Sequence, residues 1–322
     1  MKKLSLVLLA MMGLPVAGWA AFQAVVIAGP KEGPGMPVAF QASLGLLNGK
    51  AKEHVYDHEG PGGSRRQLSR LDWDLKGIAM GGVNASARLS KKLTINGGYW
   101  AALTQGSGEM SDYDWLNTSS PDWTHYSLST VDVTAGYILD LNVAWDLVSL
   151  EALTARVFAG YKQNGWTWTD HGVYLLYPEF NYVPQDLHGE NMINYEQVFR
   201  MPYLGANADW ALGNFTVSGS LTYSPIVAAT DWDEHVQRDL HFTEKFDGGT
   251  MMGVGLEVRY GFTQGSLNGL FLSAGLDYQK IDRIIGDMEV QNIKTGETGS
   301  DTGVAGIENE YTSFSLGGGI NF

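Results

Sequence analysis

The sequence predicts an all-β fold, a ten-stranded antiparallel transmembrane β-barrel that extends well above the outer membrane. Three observations predict it: apolar and polar residues alternate along the chain, short and long turns alternate, and residues 311–322 form an aromatic terminal strand. Alternation with a period of two is typical of a strand with one apolar and one polar face. Closure into a barrel pairs all backbone groups, which a strand needs inside a membrane.

The amino terminus predicts a secretory signal peptide over residues 1–20. Lys2 and Lys3 precede an apolar run that ends near Ala17, followed by a cleavage-site pattern of small residues. That run is too short for a spanning helix, and no later stretch offers the roughly 18 continuous apolar residues that one needs. We therefore expect one barrel domain over residues 21–322.

Composition narrows the function. The chain has 21 Lys and Arg against 35 Asp and Glu, a formal net charge of -14, and no cysteine. An acidic chain without basic clusters argues against nucleic acid and for cationic partners. The lack of cysteine excludes a disulfide framework and a thiol nucleophile.

The alternation divides the chain into ten strands, an even number that suits a closed antiparallel barrel. Their predicted ranges are 37–57, 66–90, 92–110, 125–144, 150–172, 190–212, 214–236, 241–263, 268–290 and 305–322. Short turns are expected on the periplasmic side and long polar loops outside. Because about 100 residues suffice for ten membrane crossings, the strands must run far beyond the lipid.

Charged residues show which face points inward. In residues 251–262, Met252 and Val254 lie on the face opposite Glu257 and Arg259, so the charged face is predicted to be the interior. Pattern alone leaves open a secreted β-sandwich or a lipocalin-like barrel. Bulky or charged inward residues argue against an open pore; they include Trp100, Glu257, Arg259 and Asp277.

Two acidic clusters lie at the predicted outer strand ends, in SDYDWLN (111–117) and TDWDEH (230–235). Residues two apart in a strand share a face, so Asp112 pairs with Asp114, and Asp233 with His235. Across a narrow barrel mouth these groups can hold a water. His235 then serves as general base, and Asp233 orients its ring.

Asp233 and His235 can point into the barrel only if the seventh strand contains an irregularity. Strict alternation from Phe215 would point Asp233 and His235 toward lipid. Pro225 cannot donate a ladder hydrogen bond and favours a bulge. We predict an irregularity between Ser224 and Thr230.

Other interpretations of the clusters stay open at this stage. An Asp-x-Asp pair in an outer loop is commonly solvated or a weak calcium contact. The region supplies too few nitrogen or sulfur ligands for zinc. A serine triad lacks support because Ser127 has no nucleophile-elbow setting. A non-catalytic adhesin or pore on the same barrel is the competing class of function.

Several motifs together resemble the omptins, outer-membrane aspartyl-type endopeptidases of Gram-negative bacteria. These motifs are SLGLLNGKAKEHVY, SRLDWDLKG, DYDWLN, FRMPYLG, DWDEH and VAGIENEY, and they cover nearly the whole mature sequence in the family's order. The resemblance implies a ten-stranded barrel and a peptidase without a covalent intermediate.

The resemblance also implies roles for individual residues. Asp112 and Asp114 would be the catalytic pair opposite Asp233 and His235, and water between them would attack the peptide carbonyl. Glu53 and Asp231 would form the pocket for the residue before the scissile bond. Paired carboxylates suit Arg or Lys, so the expected partners are cationic peptides or proteins cut at basic, preferably dibasic, sites.

Outer-membrane lipid is the other expected partner, and no metal or other cofactor is expected. The family is typically activated by lipopolysaccharide bound on the outer wall. Tyr161 is retained, but Gln163, Gly165 and Val198 stand where the family's charged lipid-binding residues are expected. The site therefore looks degenerate, which indicates either another lipid contact or none.

Overall fold

The structure is a computed structural model that describes residues 37–60 and 64–322, so the predicted signal peptide (1–20) lies outside the described residues. Its strands are β1 Val38–Gly60, β2 Ser64–Arg88, β3 Leu93–Ala102, β4 Gly106–Asp114, β5 His125–Ser149, β6 Leu153–Leu176, β7 Gln185–Asp186, β8 Ile193–Leu212, β9 Phe215–His235, β10 Leu240–Gly261, β11 Leu270–Asn292 and β12 Thr298–Asn321. Short 3-10 turns cover Pro178–Phe180, Val236–Arg238 and Gly265–Leu267. Across the described ranges, no helix has the length and apolar character needed to cross a bilayer.

The strands close into an antiparallel ring of ten positions, which confirms the predicted fold. β1 pairs with both β2 and β12, so the first and last strands close the ring. β3 and β4 share one position, because each pairs with β2 on one side and β5 on the other. β7 adds two residues beside the upper end of β6.

Two predicted strand boundaries were wrong, and the one in the third strand matters for the site. The predicted third strand, 92–110, is interrupted between Ala102 and Gly106 and then continues to Asp114. The last strand begins at Thr298 instead of 305. Asp112 and Asp114 therefore lie within β4, where the strand ladder fixes them, and not in the loop that follows.

An apolar band surrounds the barrel near the end at which β1 begins and β12 ends. Every ring position contributes exposed apolar side chains to it; examples in chain order are Phe40, Val83, Ile95, Leu141, Val157, Leu204, Leu221, Val254, Leu272 and Leu316. Strands of about 9 to 11 residues are enough to cross a membrane, whereas β2 and β5 have 25 residues each. The barrel thus extends well beyond the band.

The barrel interior is packed. The predicted inward residues Trp100, Glu257, Arg259 and Asp277 are all buried, and Arg259 donates to Glu257 at 2.9 Å. Near the far end from the band, Trp73 stacks on Tyr195 with ring centroids 5.0 Å apart, and Trp168 stacks on Tyr195 at 5.6 Å. These three rings form an aromatic layer across the lumen, a filling that does not suit a pore.

The predicted irregularity in β9 is confirmed. Below it the inward residues include Thr222 and Ser224, while Pro225 and Ile226 are both exposed and Val227 is again buried. The register of β9 with β10 shifts between Ser224 and Val227. Over the same stretch β9 has one residue more than its other neighbour, β8. Because one extra residue reverses the parity, Asp231, Asp233 and His235 point into the barrel.

Candidate active site

His235 and Asp233 form a hydrogen-bonded pair at the end of β9. His235 Nε2 lies 2.8 Å from Asp233 Oδ2, so the ring donates to the carboxylate and Nδ1 is left as the acceptor. The Asp233 side chain is 3% exposed and the His235 side chain 22%, so the imidazole reaches the open side of the cluster. Arg238 Nη1 lies 3.3 Å from His235 Nδ1. A carboxylate in this position fixes the tautomer and orientation of the ring.

Asp112 and Asp114 occupy the end of β4 on the same face of the strand. The Ser69 hydroxyl donates to Asp112 Oδ1 at 3.0 Å. Burial raises the pKa of Asp112 well above its ordinary value, and the neighbouring charge of Asp114 raises it further. Burial also raises the pKa of Asp114. Two carboxylates this close favour sharing a proton or a bound water over carrying two full charges.

The aspartate pair and the His235–Asp233 pair face each other across the lumen. After burial and Asp114, the charge of Asp233 also raises the pKa of Asp112. The pKa of Asp114, raised chiefly by burial, is in part lowered by positive charge on His235. These effects act over short distances, so the structure brings together four residues that the sequence placed on separate strands.

Glu53 lies on β1 at the same level as the aspartate pair. It pairs with Leu71 of β2, which in turn pairs with Asp112 of β4. Glu53 is 3% exposed, and its Oε2 atom has no hydrogen-bond partner among the described residues. Burial raises the pKa of Glu53 well above its ordinary value, and the charges of Asp233 and Asp231 add to the rise. Glu53 therefore points across the lumen toward β9.

Asp231 is fully buried below Asp233 on the same face of β9. Tyr195 Oη donates to Asp231 Oδ2 at 2.9 Å, and Gln197 Nε2 donates to Tyr195 Oη at 2.8 Å. Asp231 Oδ1 has no such partner within the described part of the chain. Burial raises the pKa of Asp231 well above its ordinary value. Tyr195 thus joins the aromatic layer to the acidic cluster.

Two residues of the site escaped the sequence analysis. Glu244 of β10 pairs directly with Asp231 and points into the same cluster. His125 pairs with Asp114 across β4 and β5, and it packs edge-on against Tyr177 at 4.6 Å between ring centroids. The sequence HFTEKF contained one indication that Glu244 points inward. Glu244 lies on the same face of the strand as Phe242 and Phe246, which favour a packed interior. Alternation counted from Met252 pointed it outward instead.

This fold and this site together define a class of protein: a membrane-spanning β-barrel with a histidine and several buried carboxylates beyond its apolar band. The chain belongs to the omptin family, whose family model matches residues 36–322. The resemblance inferred from the sequence motifs is thereby confirmed.

Relatives of known function support a protease. The plasminogen activator of Yersinia pestis is 33% identical over 278 residues, which is 86% of each chain. The outer membrane protease IcsP of Shigella flexneri is 28% identical over 294 residues, 88% of this chain and 90% of that one. The crystal structure of the outer membrane protease OmpT from Escherichia coli superposes with a TM-score of 0.82 at 24% identity, covering 90% of this chain and 99% of the other. The protein is accordingly an outer-membrane β-barrel protease.

Proposed function

We propose that this protease hydrolyses peptide bonds beside basic residues with a water activated between the His235–Asp233 pair and Asp112–Asp114. The observation that supports it best is the position of the 2.8 Å His235–Asp233 hydrogen bond beside buried carboxylates that have no basic partner. Within the described residues, neither Glu53 nor Asp231 has a Lys or Arg within ion-pair distance. A ligand would supply the missing cation.

Water activation assigns His235 as the general base. Its Nε2 proton is held by Asp233, so Nδ1 is the atom that accepts a proton from water, and Arg238 Nη1, which lies 3.3 Å from Nδ1, must first move away from it. Asp233 stabilises the imidazolium that results. Asp112 and Asp114, opposite the histidine, hold the same water and, when one of them is protonated, can donate to the oxygen that gains charge on the substrate.

Direct attack by water needs no covalent enzyme intermediate. The Ser69 hydroxyl donates to Asp112 Oδ1 and helps to hold that carboxylate in place, so we assign it a positioning role. The mechanism therefore belongs to the aspartic type, extended by a histidine.

Glu53 and Asp231 form the proposed pocket for the residue before the scissile bond. Both are buried, and each keeps a carboxylate oxygen without a hydrogen-bond donor among the described residues. Guanidinium and ammonium groups satisfy such oxygens with charge-assisted hydrogen bonds. Neutral or acidic side chains would leave the carboxylates unpaired at a large cost. The pocket therefore favours cationic peptides and proteins, and the net charge of -14 attracts them.

The site is proposed to face the extracellular side. The short connections that follow β2, β5 and β8 lie at the band end, and the acidic cluster lies at the other end of the strands. Short turns of outer-membrane barrels are periplasmic, which would place the cluster outside the cell. Outer-membrane lipid would surround only the band.

The test is cleavage of an Arg-Arg fluorogenic peptide by the refolded protein. We expect wild type to cleave it and Asp112→Ala and His235→Ala to lose about 10²- to 10⁴-fold in rate, the usual loss for a general base or its partner. A matched peptide with citrulline in place of both arginines keeps the shape without the charge and should not be cleaved. Equal rates for wild type and both variants would refute the mechanism.

A further inference from the structure

Glu244 is a buried carboxylate to which the proposed mechanism gives no role. It is 1% exposed, and among the described residues no N–H or hydroxyl group donates to either of its carboxylate oxygens. Its polar neighbour is Asp231, with which it forms a carboxyl–carboxylate hydrogen bond that needs a proton on one of the two groups. A buried carboxylate left in this state costs free energy. A cationic ligand that supplies donors to both carboxyl groups can replace the proton that Glu244 and Asp231 share.

Strand register fixes where Glu244 points. It lies directly opposite Asp231 in the β9–β10 ladder, and directly opposed side chains have Cβ atoms about 4.5 to 5.5 Å apart. Like charges in that arrangement repel each other. Burial raises the pKa of Glu244 well above its ordinary value, and the charges of Asp231 and Glu53 add to the rise. Glu244 thus faces the same two carboxylates that form the proposed pocket.

A bulge in β10 turns Glu244 inward. Pairing with β9 shifts on both sides of Gly249, and Gly248 adopts a positive φ of 81°. A Cβ atom at Gly249 would lie 2.2 Å from the Ile284 side chain, so any larger residue here would displace Ile284 from its packed position. The bulge thus reverses the alternation of β10 and adds the Glu244 carboxylate to those of Glu53 and Asp231 inside the barrel.

We propose that Glu244 is a specificity-determining residue that completes a three-carboxylate pocket with Glu53 and Asp231, which takes a guanidinium in preference to an ammonium and releases a proton on binding. This inference rests on the proposed function, since it concerns the pocket for the basic side chain.

Counting donors and acceptors supports guanidinium. The oxygens that no N–H or hydroxyl donor of the described residues reaches are Glu53 Oε2, Asp231 Oδ1, and Oε1 and Oε2 of Glu244. Arginine has five N–H donors in a planar fork, whereas lysine has three on one point charge. Arginine can satisfy all of these oxygens, and lysine would leave at least one of them unpaired.

Proton release follows from the electrostatics of the empty pocket. The titratable groups that face Glu244 are Asp231 and Asp233 from β9 and Glu53 from β1. Tyr195 of β8 hydrogen-bonds to Asp231, and the β11 partner of Glu244 is the uncharged Met288. Raised pKa values favour the protonated forms of these carboxyl groups in the empty pocket. An entering cation lowers those pKa values and expels a proton, so affinity increases as pH rises.

Calorimetric titration of the refolded protein with benzamidine, a guanidinium-like cation, tests this pocket without requiring cleavage. The titration is run in two buffers of different ionisation enthalpy, which gives the number of protons released. Wild type should bind and release protons. Glu244→Gln should bind about tenfold or more weakly, as expected for a lost buried charge contact, and release fewer protons. Glu289→Gln, on the adjacent strand but exposed, is the matched control and should behave like wild type.

Peptides with Arg or Lys before the scissile bond give the second readout. Glu244→Gln should raise KM for the Arg peptide more than for the Lys peptide and so reduce the preference for Arg. Unchanged benzamidine affinity and proton release in Glu244→Gln, or no binding by wild type, would overturn the inference. Benzamidine binding without peptide cleavage would overturn the proposed function alone, and cleavage without benzamidine binding the inference alone.

Discussion

His235 Nε2 donates to Asp233 Oδ2 at 2.8 Å, while Asp233 Oδ1 is buried without a hydrogen-bond partner in the described structure. This geometry makes the two residues one functional unit. We expect Asp233→Asn and His235→Ala each to lower kcat by about 10²- to 10⁴-fold. The double variant should be no worse than the more damaging single one, because residues that act as a unit are not additive. Steady-state kinetics of the three variants measure this, and fully additive losses would contradict it.

Asp114 should set the acidic limb of the pH profile through Asp112. Burial and then the charge of Asp114 raise the pKa of Asp112. Asp114→Asn removes that charge, so the pKa of Asp112 falls. If ionised Asp112 is required, the acidic limb of kcat/KM moves to lower pH in the residual activity of Asp114→Asn. A limb that stays in place or moves to higher pH would show that Asp112 does not control it.

The bulge in β9 should be necessary for activity. Deleting Pro225 removes the extra residue, and one residue of slip turns Asp231, Asp233 and His235 toward the outer face. We expect a folded barrel without cleavage of the Arg-Arg peptide. Pro225→Ala keeps the residue count and should retain activity. Heat-modifiable migration on a gel verifies that each variant is folded, and full activity in a folded deletion variant would refute the role of the bulge.

Glu244 should lower stability at neutral pH. Its pKa in the folded protein is raised by burial and by Asp231 and Glu53, so its contribution favours folding below its ordinary pKa and is lost as pH rises through the raised value. Glu244→Gln does not titrate. The variant should therefore have a higher midpoint of thermal unfolding than wild type at pH 8, and the gap should shrink by pH 4. A gap that widens toward pH 4 would reverse the sign of this argument.

Lipopolysaccharide should change the activity of this chain little. Tyr161 Oη donates to Gln163 Oε1 at 3.0 Å, and Gln163 Nε2 donates to Tyr137 Oη at 2.7 Å, so these groups satisfy one another. Gly165 supplies no side chain to bind phosphate, and the Tyr137 ring covers the position, 2.5 Å from where a Cβ atom would lie. Rates of the refolded protein with and without lipopolysaccharide test this, and a strong requirement would show that phosphate is bound elsewhere on the wall.

The strand pattern allowed much of the fold to be predicted. Alternation depends only on which side chains favour lipid and which favour the interior, and this preference is local to each strand. It gave ten strands, the inward positions of Glu257 and Arg259, and a shared face for Asp233 and His235. Residues on both sides of the break between Ala102 and Gly106 keep the alternation of a strand, so the sequence pattern does not show the interruption.

The site itself depended on relations between strands. The sequence determined that Asp112 and Asp114 share one face, that Asp231, Asp233 and His235 share another, and that Pro225 requires an irregularity. Only the tertiary structure decided that all of them point inward and that Glu244 joins them. Side chains alternate between the two faces of a strand, and a bulge reverses that alternation. Where a bulge forms depends on packing against the neighbouring strands, as with Ile284 at Gly249.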